Sequence, residues 1–541
     1  MPLPFPRPLL LLFAFAFSAS AAQFAPAQLQ PAANNSVTYP LDGVVLNSAT
    51  GEPIRAALVQ VHARAQISVL TGTDGKFHFE GLAQGPINVS VRKPGFFSEQ
   101  QDPRRNNLVQ VSANMQSVVL KLVPESVVYG RVTDQNGEPA ERLPVKLMYQ
   151  NVENGEMRWQ QRGAQTNEDG EFRMFGLQAG TYYLKAGPSS TPTDQGPNLS
   201  QRRRQGYAGT YYPGAPDLAS ATAIKAVPGQ EFRADLNLKT APFYQVTGTV
   251  VGSPLGVPYG VRFLTKEGEP LPSGVGINTS TGSFIGSSIP AGSYVIKAFA
   301  TIGNGQQMLI ANLPLDVNSD VAGVRLVLGQ PATIPVNVEF HLSPKSNSGF
   351  NPGRAQPVSV ELISSKSALS VQRFQASPEG PPENRSLAIR NLEPGIYNVQ
   401  IRPTGPWYVE SAQCGSTNLL TRELVVTTGG SGQPIEVVLR DDFATIEAAV
   451  SSDGRATPAT VLVIPENNST MATTLFVNES GKLQKTNLAP GEYRVFAFDR
   501  VDGLEYANPE AMRPYLTGAQ FIRVAPGGQA SLNLELQKRG D

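Results

Sequence analysis

Any side-chain chemistry in this 541-residue chain would have to start from three histidines, His62, His78 and His341, and one cysteine, Cys414. A catalytic zinc site takes three protein ligands and keeps a fourth position open. His62 and His78 fall in alternating strand patterns with no second histidine or carboxylate at ligand spacing, and His341 has no evident partners. They read as solvent-facing or hydrogen-bonded strand residues. Asp134-Gln-Asn136-Gly137 resembles the opening of a calcium loop, but the later ligands ending in glutamate are absent, so a hairpin turn is expected. No Gly-x-Ser-x-Gly elbow with a downstream histidine offers a hydrolase nucleophile. No catalytic, metal or cofactor residues are therefore assigned.

Contact chemistry is better represented. Arg202, Arg203 and Arg204 precede Tyr207, Tyr211 and Tyr212 within a long polar insertion. Arginine offers planar donor forks for carboxylates, and tyrosine an apolar face with a polar tip. Trp159, Trp407 and Tyr408 are further aromatic faces that could stack on a sugar. The alternative for each aromatic is packing on its own domain.

The elements that must position these residues follow one repeated pattern, clearest from Glu168 to Ala186. A turn at Asp169-Gly170 leads into a short strand, then a turn closed by Gly180, then a second strand. Taking Gly85, Gly180, Gly292, Gly395 and Gly491 as origin, the residue three before is Leu82, Leu177, Ile289, Leu392 or Leu488. Eight before stands Phe77, Phe172, Phe284, Leu387 or Leu483. Two, four and six after, apolar residues such as Tyr182, Leu184 and Ala186 alternate with polar ones. Side chains of a strand alternate between faces, so this is a half-buried strand. The origin glycine is expected at positive φ, where a β-carbon clashes. Repetition at intervals near 100 residues indicates whole domains, since solenoid repeats run to roughly 20–50 residues.

Lys plus Arg equals Asp plus Glu at 44 each, so no net field favours nucleic acid or an anionic membrane. The apolar run Leu9–Phe17, followed by Ser18-Ala-Ser-Ala-Ala22, reads as a secretory signal peptide and falls short of the ~20 residues needed for a span. No cysteine near the cleavage site supports a lipid anchor. A lone cysteine also excludes an intrachain disulfide framework, so stability must come from core burial. The expected organisation is a signal peptide over 1–22, a flexible leader over 23–36, and β-sandwiches over 37–123, 124–240, 241–330, 331–441 and 442–541. The second carries the loop 187–218. Arg385 takes the first-turn glycine's place in the fourth, and Pro509–Pro514 could hold one helical turn.

The order of strand, Gly-x-Pro turn (Gly51-Glu-Pro53, Gly137-Glu-Pro139), strand, Asp-Gly-x-Phe (Asp74–Phe77, Asp169–Phe172) and Gly-Leu-x-x-Gly resembles the carboxypeptidase regulatory-like domain. Tyr207–Gly214 and Tyr506–Tyr515 resemble segments of large exported acidobacterial proteins that carry this domain in tandem. The resemblance implies an all-β chain of five tandem immunoglobulin/transthyretin-like sandwiches, grouped with carbohydrate-binding-like folds. It implies no peptidase, because in that family catalysis belongs to a separate zinc domain, and its His-x-x-Glu pair is absent here. The first strands carry no lysine of the kind that collagen-binding B-type domains cross-link. The expectation is a non-catalytic secreted, periplasmic or cell-surface protein, with a polysaccharide or a cell-surface protein as partner and no nucleic acid, membrane span or cofactor. An adhesion stalk with protein partners is the alternative. Fold alone does not decide between them.

Overall fold

The structure, a computed structural model, describes residues 38–62, 66–98, 108–113, 115–188, 205–254, 256–266, 268–302, 307–343, 358–364, 371–380, 386–427 and 433–539. The segments read as signal peptide and leader, the three arginines 202–204 and Arg385 lie outside these residues. The described chain is built almost wholly of short strands, and among the described residues no helix is long and apolar enough to cross a membrane.

One pairing scheme recurs. The strand Thr38–Asn47 pairs antiparallel with Lys76–Ala83 and parallel with Val118–Pro124. The same arrangement is formed by Ser126–Thr133, Thr240–Val251, Ala332–His341 and Ala444–Ser452, each between the strand that follows the first turn and the strand that closes the segment. A second sheet faces the first. In the N-terminal segment its order is Gln66–Leu70, Leu58–His62, Gly85–Arg92, Leu108–Val111. Alternation then explains burial: Ile87, Val89 and Val91 point inward from one strand, as do Tyr182, Leu184 and Ala186, or Tyr493, Val495 and Ala497, each at most 6% exposed. Separate apolar clusters span Leu41–Leu122, Val128–Leu238, Val246–Leu328, Ala332–Leu439 and Ala444–Leu534. They are called the first to fifth cores below.

The origin glycine takes positive φ, as expected, at Gly85, Gly292 and Gly491, with φ of 129–158°, but not at Gly180 or Gly395. A left-handed residue common to all five copies lies four residues earlier, at Gly81, Gly176, Ser288, Asn391 and Asn487, all with φ between 59° and 73°. Here the pairing with the opening strand slips in every copy, for instance between Tyr39 and Leu41 or between Ala444 and Ile446. A bulge needs one residue out of the extended region, and Gly, Asn and Ser tolerate that conformation. The first-turn glycines are also left-handed: Gly75, Gly170, Gly282 and Gly481 have φ of 66–73°. The carbonyl of each accepts a hydrogen bond from the opening strand, at Val45, Val132, Val250 and Val450, over 2.7–2.9 Å. A β-carbon there would meet that same valine's carbonyl oxygen, at 2.8 Å for Gly75 and Gly282 and 2.6 Å for Gly481.

Tyrosine fastens the second turn. Tyr182, Tyr294, Tyr397 and Tyr493 each donate the phenol hydrogen to the carbonyl four residues upstream, at Gln178, Pro290, Glu393 and Ala489, over 2.5–3.0 Å. Their rings fill the core while the polar tip satisfies a turn carbonyl, as a buried tyrosine requires.

The fifth core has a second apolar layer. Residues Leu462, Ile464, Phe496 and Phe498 point to the outer face of their sheet, under Leu504 and Met512. The strand Ala459–Pro465 is consequently buried on both faces, which accounts for the unbroken apolar run Val461–Ile464 within it. The helical turn Pro509–Met512 forms as expected. Asn508 caps it by accepting from the Glu510 N–H at 3.1 Å, with proline in the first turn, where no N–H is needed.

Candidate functional site

The long insertion is partly structural. Gln205–Tyr207 leaves its own segment and pairs antiparallel with the start of Thr240–Val251, which opens the third core. Thr210–Tyr211 returns to pair with the strand Gly180–Ala186. Tyr207 is buried in the second core at 3% exposure, and Tyr212 packs edge-on to Phe232 at 6.2 Å. Tyr211 faces the junction of the second and third cores. There Trp159 and Tyr211 line one cleft of about 440 Å³, with Leu218 and Pro216 of the insertion and Leu271, Pro290 and Tyr294 of the third core. Trp159 is half-buried and tilted against Tyr183 at 5.9 Å.

An ion cluster lies beside the cleft, with Lys185 in its lining. Glu269, only 6% exposed, receives Lys146 on one carboxylate oxygen and Lys185 on the other, both at 3.1 Å. The Lys185 ammonium also stands 5.3 Å from the centre of the Tyr211 ring. Burial opposes the Glu269 charge, but the two lysines outweigh it and hold the carboxyl below its ordinary range. Burial likewise opposes the Lys185 charge, and Glu269 and Tyr211 reverse the effect and raise its pKa. Sequence reasoning missed this cluster, since its members lie 123 and 84 residues apart. A signal existed: Gly268-Glu-Pro270 is a third copy of the Gly-Glu-Pro turn, closed by the same bond from the residue before the turn, here Thr265 N–H to Glu269 O at 2.8 Å. It follows the second strand of its segment, whereas the other two follow the first.

The remaining aromatic candidates lie elsewhere. Trp407 is 2% exposed in the fourth core, edge-on to Phe340 at 5.4 Å. Tyr408 is buried at the rim of a larger cleft of about 940 Å³, and its phenol donates to Asp442 at 3.1 Å. Arg440 binds Asp442 and Glu410 at 2.7 and 3.0 Å. That guanidinium holds the Asp442 carboxyl below its usual range.

Two histidines do have carboxylate partners, contrary to expectation. His78 meets Asp42 through Nδ1 at 2.8 Å and Glu80 through Nε2 at 3.2 Å. Asp42 stands directly opposite on the neighbouring strand and Glu80 is two residues on, on the same face. His341 is flanked by Glu410 on Nδ1 and Glu339 on Nε2 in the same way. In both sites the carboxylates sit on opposite ring nitrogens, so they cannot converge on one ion. Among the described residues no group of three or more His, Cys, Asp or Glu side chains is placed to hold a metal. The cleft at Trp159 offers apolar walls, aromatic faces and fixed charges, which suits binding.

No curated protein is significantly similar to the chain. Among solved structures, similarity is found to GBS52, the minor pilin of Streptococcus agalactiae, at 15% identity over 38% of this chain and 97% of that one, with a TM-score of 0.21. The shaft pilin SpaA of Lactobacillus rhamnosus GG aligns at 9% identity over 38% and 98%, with a TM-score of 0.21. BcpA, the major pilin subunit of Bacillus cereus, aligns at 10% identity over 76% and 99%, with a TM-score of 0.14. Residues 40–119 match the family model of the carboxypeptidase regulatory-like domain, the family that the turns and strands of that segment resemble.

Proposed function

We propose that this is a non-catalytic exported protein of five β-sandwich units, over 37–123, 124–240, 241–330, 331–441 and 442–541, that binds carbohydrate at the junction of its second and third units. The observation carrying the reading is the meeting of Trp159 and Tyr211, from different strands, in one cleft of about 440 Å³ beside a fixed ion cluster. That volume lies within the ~300–1,000 Å³ range of small-ligand sites. Aromatic faces recognise the C–H face of a sugar ring, and ammonium groups donate to its hydroxyls. A glycan and polysaccharide binding screen on the secreted protein tests it. Trp159→Ala should abolish capture while thermal stability is retained. If no glycan binds, or if Trp159→Ala binds as wild type, the carbohydrate reading fails.

A second reading, an adhesion or stalk protein with protein partners, has its own support. Phe175 is 72% exposed and Leu70 62% exposed, on strands Glu171–Leu177 and Gln66–Leu70, each at the edge of its sheet. Edge strands with apolar side chains are templates for strand addition. Phe175→Glu should then reduce binding to a cell-surface extract without touching glycan capture.

A further inference from the structure

The hairpin of Pro144–Glu153 and Glu156–Gln165 has ten-residue strands paired along their whole length. Its counterpart in the first core, Leu58–His62 with Gln66–Leu70, has five. At about 3.3 Å per residue the longer hairpin is an arm of roughly 33 Å. Its tip, Asn154-Gly155, has φ of 52° and 79°, the two left-handed residues of a tight hairpin turn. A hairpin tip is normally solvated, yet Gly155 is buried. The Tyr506 ring covers it so closely that any β-carbon would overlap the ring. The Ala507 N–H donates to the Gly155 carbonyl at 3.1 Å, and the Ala507 carbonyl accepts from Ser469 Oγ at 2.7 Å. The receiving segment is itself anchored, because Leu504 and Met512 pack onto the outer layer of the fifth core.

The second and fifth cores are remote in sequence. Cores adjacent in sequence are joined as well: Lys146 and Lys185 to Glu269, Lys297 to Glu393, and Asn468 to the Leu420 carbonyl. Adding the arm turns a linear series into a closed loop from the second core through the fifth and back. We propose that the 153–156 turn is a docking arm whose partner is the chain's own C-terminal segment 504–508, and that through it the chain closes on itself in cis. Closure has a structural product: Asn154 and Tyr506 become walls of the cleft of about 940 Å³ whose other walls include Tyr408, Arg440 and Tyr493.

The experiment uses the full chain carrying Glu153→Cys and Glu505→Cys, with a short bismaleimide cross-linker; Cys414 is buried, and each single variant serves as its control. The expected result is a cross-link within one chain in the monomer fraction. Gly155→Asn keeps the left-handed turn, because asparagine tolerates it, but drives its β-carbon into Tyr506. It should abolish the cross-link and raise the radius of gyration in solution scattering. Tyr506→Ala, which leaves the arm untouched, should do the same. Absence of the cross-link, a cross-link found only between chains, or scattering and cross-linking unchanged in both variants would overturn closure in cis.

Discussion

The tyrosines at the second turn combine core filling with a backbone hydrogen bond, and burial opposes their ionisation. Burial pushes the phenols of Tyr294, Tyr397 and Tyr493 up to about 12, from an ordinary value of 10.0, and raises Tyr182 as well. A group whose folded pKa is raised contributes stability that is fully present below the unfolded value and is lost as pH rises through the folded one. In a spectrophotometric titration these tyrosines should therefore stay protonated beyond pH 10.0 and ionise together with alkaline unfolding near 12. Ionisation of all tyrosines in one step near 10 with the fold intact would contradict it. Tyr294→Phe keeps the ring and deletes the donor, and should cost about 1 kcal/mol in urea unfolding. The apolar half of this role was legible in the spacing from the glycine. The hydrogen bond was not, because the first segment has Ile87 at that position and the pattern read as hydrophobic alone. His78 shows the same limit. Its Asp42 partner is set by strand register, 36 residues away. The hydrogen bond to Asp42, then that to Glu80, raises its pKa above the ordinary 6.5, so its ring protons should titrate above that value by NMR and shift down in Asp42→Asn.

At the scale of elements, two glycines in one repeat can be told apart. Gly170 has φ of 73°, and its absent β-carbon would fall against the Val132 carbonyl. Gly180 lies outside the left-handed region, and an added β-carbon would meet only the Tyr182 ring, at an ordinary 3.7 Å. Gly170→Ala should thus destabilise by roughly 1–3 kcal/mol. Gly180→Ala should be neutral, or stabilising by up to about 1 kcal/mol through loss of unfolded-state entropy. Thermal melts of the two variants decide; equal losses would put the constraint back at the second turn. Sequence spacing correctly located the turn and both flanking strands. It assigned positive φ rightly at Gly85, Gly292 and Gly491 and wrongly at Gly180 and Gly395, and it missed the second left-handed position, because Gly81, Gly176, Ser288, Asn391 and Asn487 share a conformation and not a residue type. The candidate cleft was legible in the same partial way: Trp159 and Tyr211 stood out as aromatics, but only strand pairing brings them onto one wall.

At the scale of the molecule, the junctions decide whether the cores unfold as a string of independent units. The stretches between cores, such as Pro124-Glu-Ser126 and Thr240-Ala-Pro242, are polar or contain proline, which taken alone suggests independence. The second and third cores are tied instead by a shared strand pairing, Gln205–Tyr207 with Thr240–Pro242, and by a buried carboxylate between two lysines. Lys185 and Glu269 are 12% and 7% exposed at the side chain, so removing the carboxylate alone strands two positive charges at an interface. Breaking a buried pair in this way costs roughly 3–5 kcal/mol. Lys146 is more open, at 30%, which places Glu269→Ala at the low end of that range. The linkage to pH has a definite sign. The folded carboxyl of Glu269 lies below its ordinary 4.5, so its contribution is present above that value and is lost as pH falls through the folded one. Calorimetry at neutral pH should show the second and third cores melting in one shared transition. Between pH 4.5 and strongly acid conditions that transition should split, and Glu269→Ala should split it already at neutral pH. If the variant leaves the transitions unchanged at every pH, the ion cluster is not what holds the two cores together, and the strand pairing across the boundary carries the junction alone.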